Sequence, residues 1–268
     1  MSYSFNIITL GCKVNQYESE AVEELFLQKG YQKKSTRADI YVINTCTVTN
    51  MSDRKSRQMI SRARRDNPDS VIAVMGCYSQ VKPEEVAGID GVDIVLGSRN
   101  KESVVELCED ILQNKSVSDK IIAPSETKSF EELQISNQTE MTRAYLKIQD
   151  GCNMYCSYCL IPYARGNIVS RDIKDIADES KRLAANGFKE IVLTGIHVSS
   201  FGKDLDEDIS LIDAIEEVSK VDGIERIRLS SMEPRHITRD FLERMKATGK
   251  ACDHFHLSLQ SGSDDILK

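Results

Sequence analysis

The chain has 268 residues, which at roughly 100–200 residues per domain means one large domain or two modest ones. Apolar residues make up 40% and charged residues 29%, an ordinary soluble composition, and no apolar run approaches the roughly 18 residues of a membrane-spanning helix. Lys and Arg number 35 against 42 Asp and Glu, a net charge of −7, so bulk electrostatics does not announce a nucleic-acid binder.

Over residues 1–113 two periodicities alternate. Phe5–Leu10 is an apolar strand candidate, and Glu18–Gln28 follows with Ala21, Val22, Leu25 and Phe26 at helical spacing. Ile40–Asn44 reads as a strand and Met51–Arg65 as a strongly charged helix that stops near Pro68. Val71–Met75 is a strand, and Pro83–Val86 opens a short helix with Pro near its start. Val92–Leu96 is a fourth strand and Lys101–Leu112 a further helix. Apolar strands alternating with helices predict an open parallel α/β sheet covered on both faces.

Residues 114–141 lose the pattern and are rich in Ser, Lys, Glu and Gln, as in an interdomain linker. Alternation resumes over 142–268. Strands are predicted at Ala144–Ile148, Glu190–Leu193, Arg226–Leu229 and His254–Leu259, with helices around Asp175–Asn186, at Leu211–Val218 and at Arg239–Ala247. Four βα-type units, the last cut short, predict an open stretch of βα barrel. In such folds the loops after the C-terminal strand ends carry the chemistry.

Eight cysteines are the unusual part of the composition. Met1–Leu10 lacks a basic n-region and a long apolar stretch, so a reducing, cytoplasmic location is expected and disulfides are not. Cys152, Cys156 and Cys159 form Cys-x3-Cys-x2-Cys directly after a predicted strand. Three thiolates so close can wrap one soft metal centre and leave a coordination position open for a substrate. Zinc is the alternative, but its sites usually add a second Cys-x2-Cys pair, which the sequence lacks.

Cys12, Cys46 and Cys77 look unrelated by spacing. Each nevertheless follows an apolar strand directly: ITLG-Cys12, VINT-Cys46 and AVMG-Cys77. If those strands lie side by side and parallel, the three thiols emerge at one sheet edge, the ligand crevice of an open α/β fold. Half-buried structural cysteines are the plainer reading of such positions. Cys108 falls at an apolar-periodic helix position and reads as core. Cys252 lies near His254 and His256, a combination explained by strand alternation as well as by a metal.

The Cys152–Cys159 motif, with Tyr158 just before its third cysteine, resembles the signature of radical S-adenosylmethionine (SAM) enzymes. The resemblance implies a [4Fe–4S] cluster on Cys152, Cys156 and Cys159, with SAM chelated at the open iron and cleaved on reduction to a 5′-deoxyadenosyl radical. It makes 142–268 an incomplete radical SAM barrel, of which the chain is expected to hold the N-terminal part. Cofactor contacts are implied at Tyr158, at Thr194 and Gly195 after the second strand, at Glu233 after the third, and at Ser258 and Gln260 after the fourth.

The segments Gly11-Cys12-Lys13-Val14-Asn15, Asn44-Thr45-Cys46-Thr47-Val48-Thr49 and Gly76-Cys77-Tyr78-Ser79-Gln80 resemble the N-terminal domain of methylthiotransferases. That resemblance implies a second, auxiliary [4Fe–4S] cluster on Cys12, Cys46 and Cys77 that supplies or carries the inserted sulfur. Cys12–Gln16, Asp53–Gln58 and Thr194–His197 look most like the branch acting on threonylcarbamoyladenosine in tRNA. Other branches act on isopentenyladenosine in tRNA or on a ribosomal-protein aspartate, and a non-catalytic iron–sulfur or zinc RNA module is the reading from another class.

The implied partners are tRNA and a flavodoxin- or ferredoxin-like electron donor, with no membrane. No catalytic side chain is singled out, because the radical chemistry belongs to the cofactor. Arg54, Lys55, Arg57, Arg62, Arg64 and Arg65 make a basic helix that either guides phosphate or is a solvated face. Arg165 and Arg171 follow the compact cysteine loop and are candidates for RNA, for the SAM carboxylate, or for pairing with Asp172 or Asp175.

Overall fold

A computed structural model describes residues 3–47, 49–115, 129–135, 143–206 and 208–267; most of the expected linker over 114–141 lies outside the described residues. The chain forms two compact units. Met1–Ile135 joins Cys152–Asn167 in the first, and Ser136–Gly151 joins Ile168–Lys268 in the second.

In the first unit the strands are β1 (Ser4–Thr9), β2 (Gln32–Lys33), β3 (Ile40–Thr45), β4 (Val71–Gly76) and β5 (Ile94–Val95). The helices are α1 (Lys13–Gln28), α2 (Asn50–Asp66), α3 (Cys77–Val81), α4 (Pro83–Ala87), α5 (Val104–Leu112) and α6 (Ile161–Arg165). All strand pairings are parallel, in the order β2-β1-β3-β4-β5. The alternation along β3 explains the two-sided core. Ile40 and Val42 pack with Phe5, Val22, Phe26, Ala73 and Leu107 on one face. Tyr41 and Ile43 pack with Ile60, Ala63, Ile72 and Val74 on the other. Each buried Val, Leu, Ile or Phe contributes about 1.5–3 kcal/mol by leaving water, so a strand buried on both faces reads as a continuous apolar run.

The second unit holds β6 (Ala144–Asp150), β7 (Val169–Ser170), β8 (Glu190–Gly195) and β9 (Arg226–Leu229), in the order β7-β6-β8-β9. β6, β8 and β9 are parallel, and β7 is antiparallel to β6. Its helices are α7 (Ile173–Ala185), α8 (Leu211–Ser219), α9 (Arg239–Ala247) and α10 (Asp264–Leu267). Side chains cap the starts of α7, α8 and α9. The Asp172 side chain accepts from Lys174 N, Ser210 and Asp213 form a capping box, and Thr238 accepts from Phe241 N. One core gathers Leu146, Ile148, Ile191, Leu193, Ile215 and Phe241.

Two details differ from expectation. His254–Leu259 does not form a strand. Two isolated parallel bridges stand in its place, Ile227 to Ala251 just before the segment and Met232 to Leu257 within it. The two-residue strands β2 and β7 carry too little pattern to be read from sequence.

Candidate functional site

In the first unit the order β2-β1-β3-β4-β5 reverses direction between β1 and β3, the switch point where open α/β sheets bind ligands. Cys12 follows β1, Cys46 follows β3 and Cys77 follows β4, so the three thiols stand at the carboxyl ends of three neighbouring strands. Cys12 is exposed at the N-cap of α1, whereas Cys46 and Cys77 are buried. Cys77 opens a helix rather than lying in a loop. Gly11 brings the strand ends together: at φ +113°, a Cβ there would lie 2.9 Å from Cys46 Cβ and 3.3 Å from its Sγ. Gly76, at φ +105°, has no such room either; its Cβ would meet Thr45 O at 2.6 Å.

A polar network holds this edge. Asn15 Nδ2 donates to Leu10 O and Thr45 O, both at 2.9 Å, and Asn44 Nδ2 donates to Asn15 O at 3.0 Å and Ser19 Oγ at 3.1 Å. Asn15 Oδ1 accepts from Cys12 Sγ at 3.6 Å. Thr45 Oγ1 donates to Met75 O at 2.7 Å, joining β3 to β4. Burial pushes the Cys77 thiol up, and the guanidinium of Arg165 opposes the rise.

Arg165 is the group that sequence reasoning misplaced. It is fully buried in the first unit, with Nη1 on Glu18 Oε1 at 2.5 Å and Nη2 on Glu18 Oε2 at 3.1 Å. Lys101 Nζ also reaches Glu18 Oε1 at 3.2 Å and Glu131 at 2.9 Å. Removing one member of such a buried pair costs about 3–5 kcal/mol, because a charge is left without its partner. Arg171 is likewise fully buried, on Glu179 at 2.5 Å. The expected pairing of these arginines with RNA, with SAM, or with Asp172 or Asp175 therefore gives way to ion pairs with carboxylates elsewhere in the chain. A signal existed: Glu18 lies three, four and seven residues before Ala21, Val22 and Leu25, so a carboxylate sits on the apolar stripe of α1.

The compact loop 152–159 is open to solvent: Cys152 and Cys159 are half-buried and Cys156 is exposed. Backbone bonds shape it, Cys152 N to Gly166 O at 3.0 Å and Cys159 N to Cys156 O at 2.9 Å, with Tyr155 at φ +47°. Tyr158 is 73% exposed. Among the described residues, neither cysteine triad brings its three sulfurs within 4.8 Å of one another. A tetrahedral zinc with sulfurs at about 2.3 Å needs them about 3.8 Å apart, whereas the ligands of a cubane bind different irons.

In the second unit, Thr194 and Gly195 end β8. Gly195 lies against β6, where a Cβ would meet Gln149 O at 2.8 Å and Gln149 Oε1 at 2.9 Å. Gln149 Oε1 in turn accepts from His197 N at 2.8 Å. Beyond β9, Ser230 Oγ is buried and has no hydrogen-bond partner among the described residues. Glu233 is held by Arg235 Nε at 2.6 Å and faces His197 Nε2 at 3.2 Å. His197, Glu233 and His236 place three ligand atoms within 4.8 Å, a grouping the sequence did not suggest; Cys252, His254 and His256 do not group this way among the described residues. Ser258 is half-buried, and Gln260 is exposed at φ +65°. Cys108 is fully buried in the first unit's core.

The basic helix α2 divides. Arg57 pairs with Glu85 at 2.9 Å, and Arg64 donates to Pro68 O, Ser70 O, Gly91 O and Asp93 at 2.6–2.8 Å. Arg54, Lys55, Arg62 and Arg65 are exposed.

Comparison with known proteins divides the motifs between two families. Residues 4–97 match the uncharacterized protein family UPF0004 and residues 146–268 the radical SAM superfamily. The chain is 44% identical over 263 residues to the threonylcarbamoyladenosine tRNA methylthiotransferase MtaB of Bacillus subtilis, covering 97% of this chain and 58% of that protein. It is 42% identical to MtaB of Aquifex aeolicus, covering 97% and 63%. It is 37% identical to the tRNA-2-methylthio-N(6)-dimethylallyladenosine synthase of Natranaerobius thermophilus, covering 98% and 60%. The chain thus spans about three-fifths of the length of these relatives. Its fold is similar to that of the radical SAM methyltransferase TsrM from Kitasatospora setae, with TM-score 0.64 at 13% identity over 94% of this chain and 58% of that one.

Proposed function

We propose, from the match of residues 4–97 to UPF0004 and of residues 146–268 to the radical SAM superfamily, that the chain carries the two iron–sulfur sites of a tRNA methylthiotransferase. The proposed substrate is threonylcarbamoyladenosine next to the anticodon, methylthiolated at C2. The observation that carries the reading is the emergence of Cys12, Cys46 and Cys77 at three adjacent strand ends, in a chain that also holds Cys-x3-Cys-x2-Cys.

Cys12, Cys46 and Cys77 would hold the auxiliary [4Fe–4S] cluster, and Cys152, Cys156 and Cys159 the SAM-binding one. The fit rests on the donor sets, all thiols and none in a disulfide, and on Gly11, whose missing side chain leaves the approach to Cys46 open. Thr194, Gly195, Glu233, Ser258, Gln260 and Tyr158 are the proposed contacts to SAM. The buried hydroxyl of Ser230 is a further donor there, and Gly195 keeps the strand end flat against Gln149. When bound, these groups supply the radical and the sulfur that an unactivated adenine C–H bond requires.

The chain's own residues bind, orient and exclude water. Asn15, Asn44 and Thr45 fix the strand ends that present the thiols. The exposed Arg54, Lys55, Arg62 and Arg65 offer a face for tRNA phosphate. Eight free cysteines suit a reducing cytoplasm, where a flavodoxin- or ferredoxin-like donor would deliver the electron. Among the described residues no helix is long and apolar enough to cross a membrane.

Anaerobic reconstitution tests the reading. About eight irons per chain are expected, falling to about four when either cysteine triad is changed to alanine. Stoichiometric zinc without iron would overturn it. Mass spectrometry of tRNA from a strain lacking the gene reads the substrate. Loss of the methylthio mark on threonylcarbamoyladenosine supports the proposal, and loss of the mark on dimethylallyladenosine assigns the other tRNA branch.

A further inference from the structure

Arg165 follows the compact cysteine loop by six residues, and its segment, Cys152–Asn167, packs within the first unit. Its fork is divided between two tasks. Nη1 and Nη2 bind Glu18 at 2.5 and 3.1 Å, and Nη2 also reaches Asn15 Oδ1 at 2.9 Å. Nε is directed instead at Cys77 Sγ, at 3.2 Å. An ion pair with Glu18 alone needs only the two terminal nitrogens. Asn15 Oδ1 also accepts from Cys12 Sγ, so one guanidinium touches Cys77 directly and Cys12 through a shared acceptor. The backbone holds the arginine from behind: Arg165 O accepts from Arg99 Nη2 at 2.8 Å, and Ala164 O accepts from Ser98 Oγ at 2.6 Å.

We propose that Arg165 is the hydrogen-bond donor to the Cys77 sulfur of the auxiliary cluster, a positioning residue that raises that cluster's reduction potential and ties the helix after the compact cysteine loop to it. The inference rests on the reading of Cys12, Cys46 and Cys77 as cluster ligands. An N–H donor and a buried positive charge at a ligating thiolate stabilise the reduced, more negative cluster. The one-electron step concerned is reduction of the cluster from the 2+ to the 1+ state by an external reductant.

The test uses the chain with Cys152, Cys156 and Cys159 changed to alanine, so that only the auxiliary site can load. Iron content and a dithionite redox titration followed by electron paramagnetic resonance are the readouts. Arg165→Lys keeps the charge but has no Nε to donate to the sulfur. It is expected to hold the same iron and to be about tenfold harder to reduce, a shift of about 59 mV to lower potential for a one-electron couple. If Arg165→Lys does not fold by circular dichroism, Arg165→Gln paired with Glu18→Gln leaves no buried charge unpaired and is read instead, with the same expected shift. An unchanged midpoint at full iron content overturns the inference. Absence of iron from the triple-alanine parent would instead overturn the auxiliary-cluster reading itself, so the two failures are distinct.

Discussion

Asn15 and Asn44 exchange hydrogen bonds across the ends of β1 and β3: Asn15 Nδ2 donates to Asn44 Oδ1 at 3.2 Å, and Asn44 Nδ2 donates to Asn15 O at 3.0 Å. Both side chains are buried, and between them they join α1 to the strand ends that carry Cys12 and Cys46. An amide fits this position because it both donates and accepts. Asn15→Asp would turn a carboxylate toward Leu10 O and Thr45 O, which are already acceptors. A loss of about 2–3 kcal/mol in urea unfolding is expected for Asn15→Asp, together with reduced iron uptake at the first triad.

Gly11→Ala tests the approach of β1 to Cys46. The new Cβ would stand 2.9 Å from Cys46 Cβ, at a φ of +113° that L residues rarely adopt. A cost of about 1–3 kcal/mol in unfolding free energy is expected from the backbone alone. Iron bound after reconstitution should fall toward the value of the Cys12/Cys46/Cys77 alanine variant.

Ser230→Ala separates stability from ligand binding. The hydroxyl is buried and has no partner among the described residues, so removing it is expected to leave the melting temperature unchanged or slightly raised. SAM affinity, read by equilibrium dialysis, should weaken. A lowered melting temperature with unchanged affinity would remove Ser230 from the proposed pocket.

Within α2, cations next to one another in sequence should behave differently. Arg64→Ala removes hydrogen bonds to three carbonyls and Asp93 and should lower the melting temperature. The triple variant Lys55→Gln, Arg62→Gln and Arg65→Gln should melt as the parent does. In fluorescence anisotropy it should bind tRNA more weakly, with a log–log salt slope shallower by about 0.7–0.9 for each phosphate that is no longer neutralised.

His197 and His236 set a pH dependence. Burial pushes both imidazoles below 6.5; Glu233 opposes the shift at His197, while Lys203 and Arg235 add to it at His236. A depressed histidine binds its proton less readily folded than unfolded. Its stabilising contribution is therefore present above pH 6.5 and is lost as the pH falls from 6.5 toward the folded value. Thermal melts between pH 7.5 and 5.5 should show falling stability, and a His197→Gln/His236→Gln variant should flatten the profile.

Much of the architecture is written locally. β3 and β4 are legible because parallel strands buried on both faces must be apolar at nearly every position. Helices α7, α8 and α9 of the second unit are legible from their apolar stripes. The reduction of the expected strand His254–Leu259 to isolated bridges at Ala251 and Leu257 was not legible, because apolar alternation reports what a segment can pair with and not whether a ladder forms.

The sequence by itself determined that eight cysteines divide into two triads and two others, and that each member of the dispersed triad directly follows a strand. The tertiary structure decided which strands are neighbours. Nothing local to Cys12 or Cys46 encodes that β1 pairs with β3, because strand order follows from crossover geometry and long-range packing. It also decided the place of Arg165, whose partner Glu18 lies 147 residues away. A buried charge takes its partner from whatever the fold brings within reach, and sequence distance says nothing about that reach.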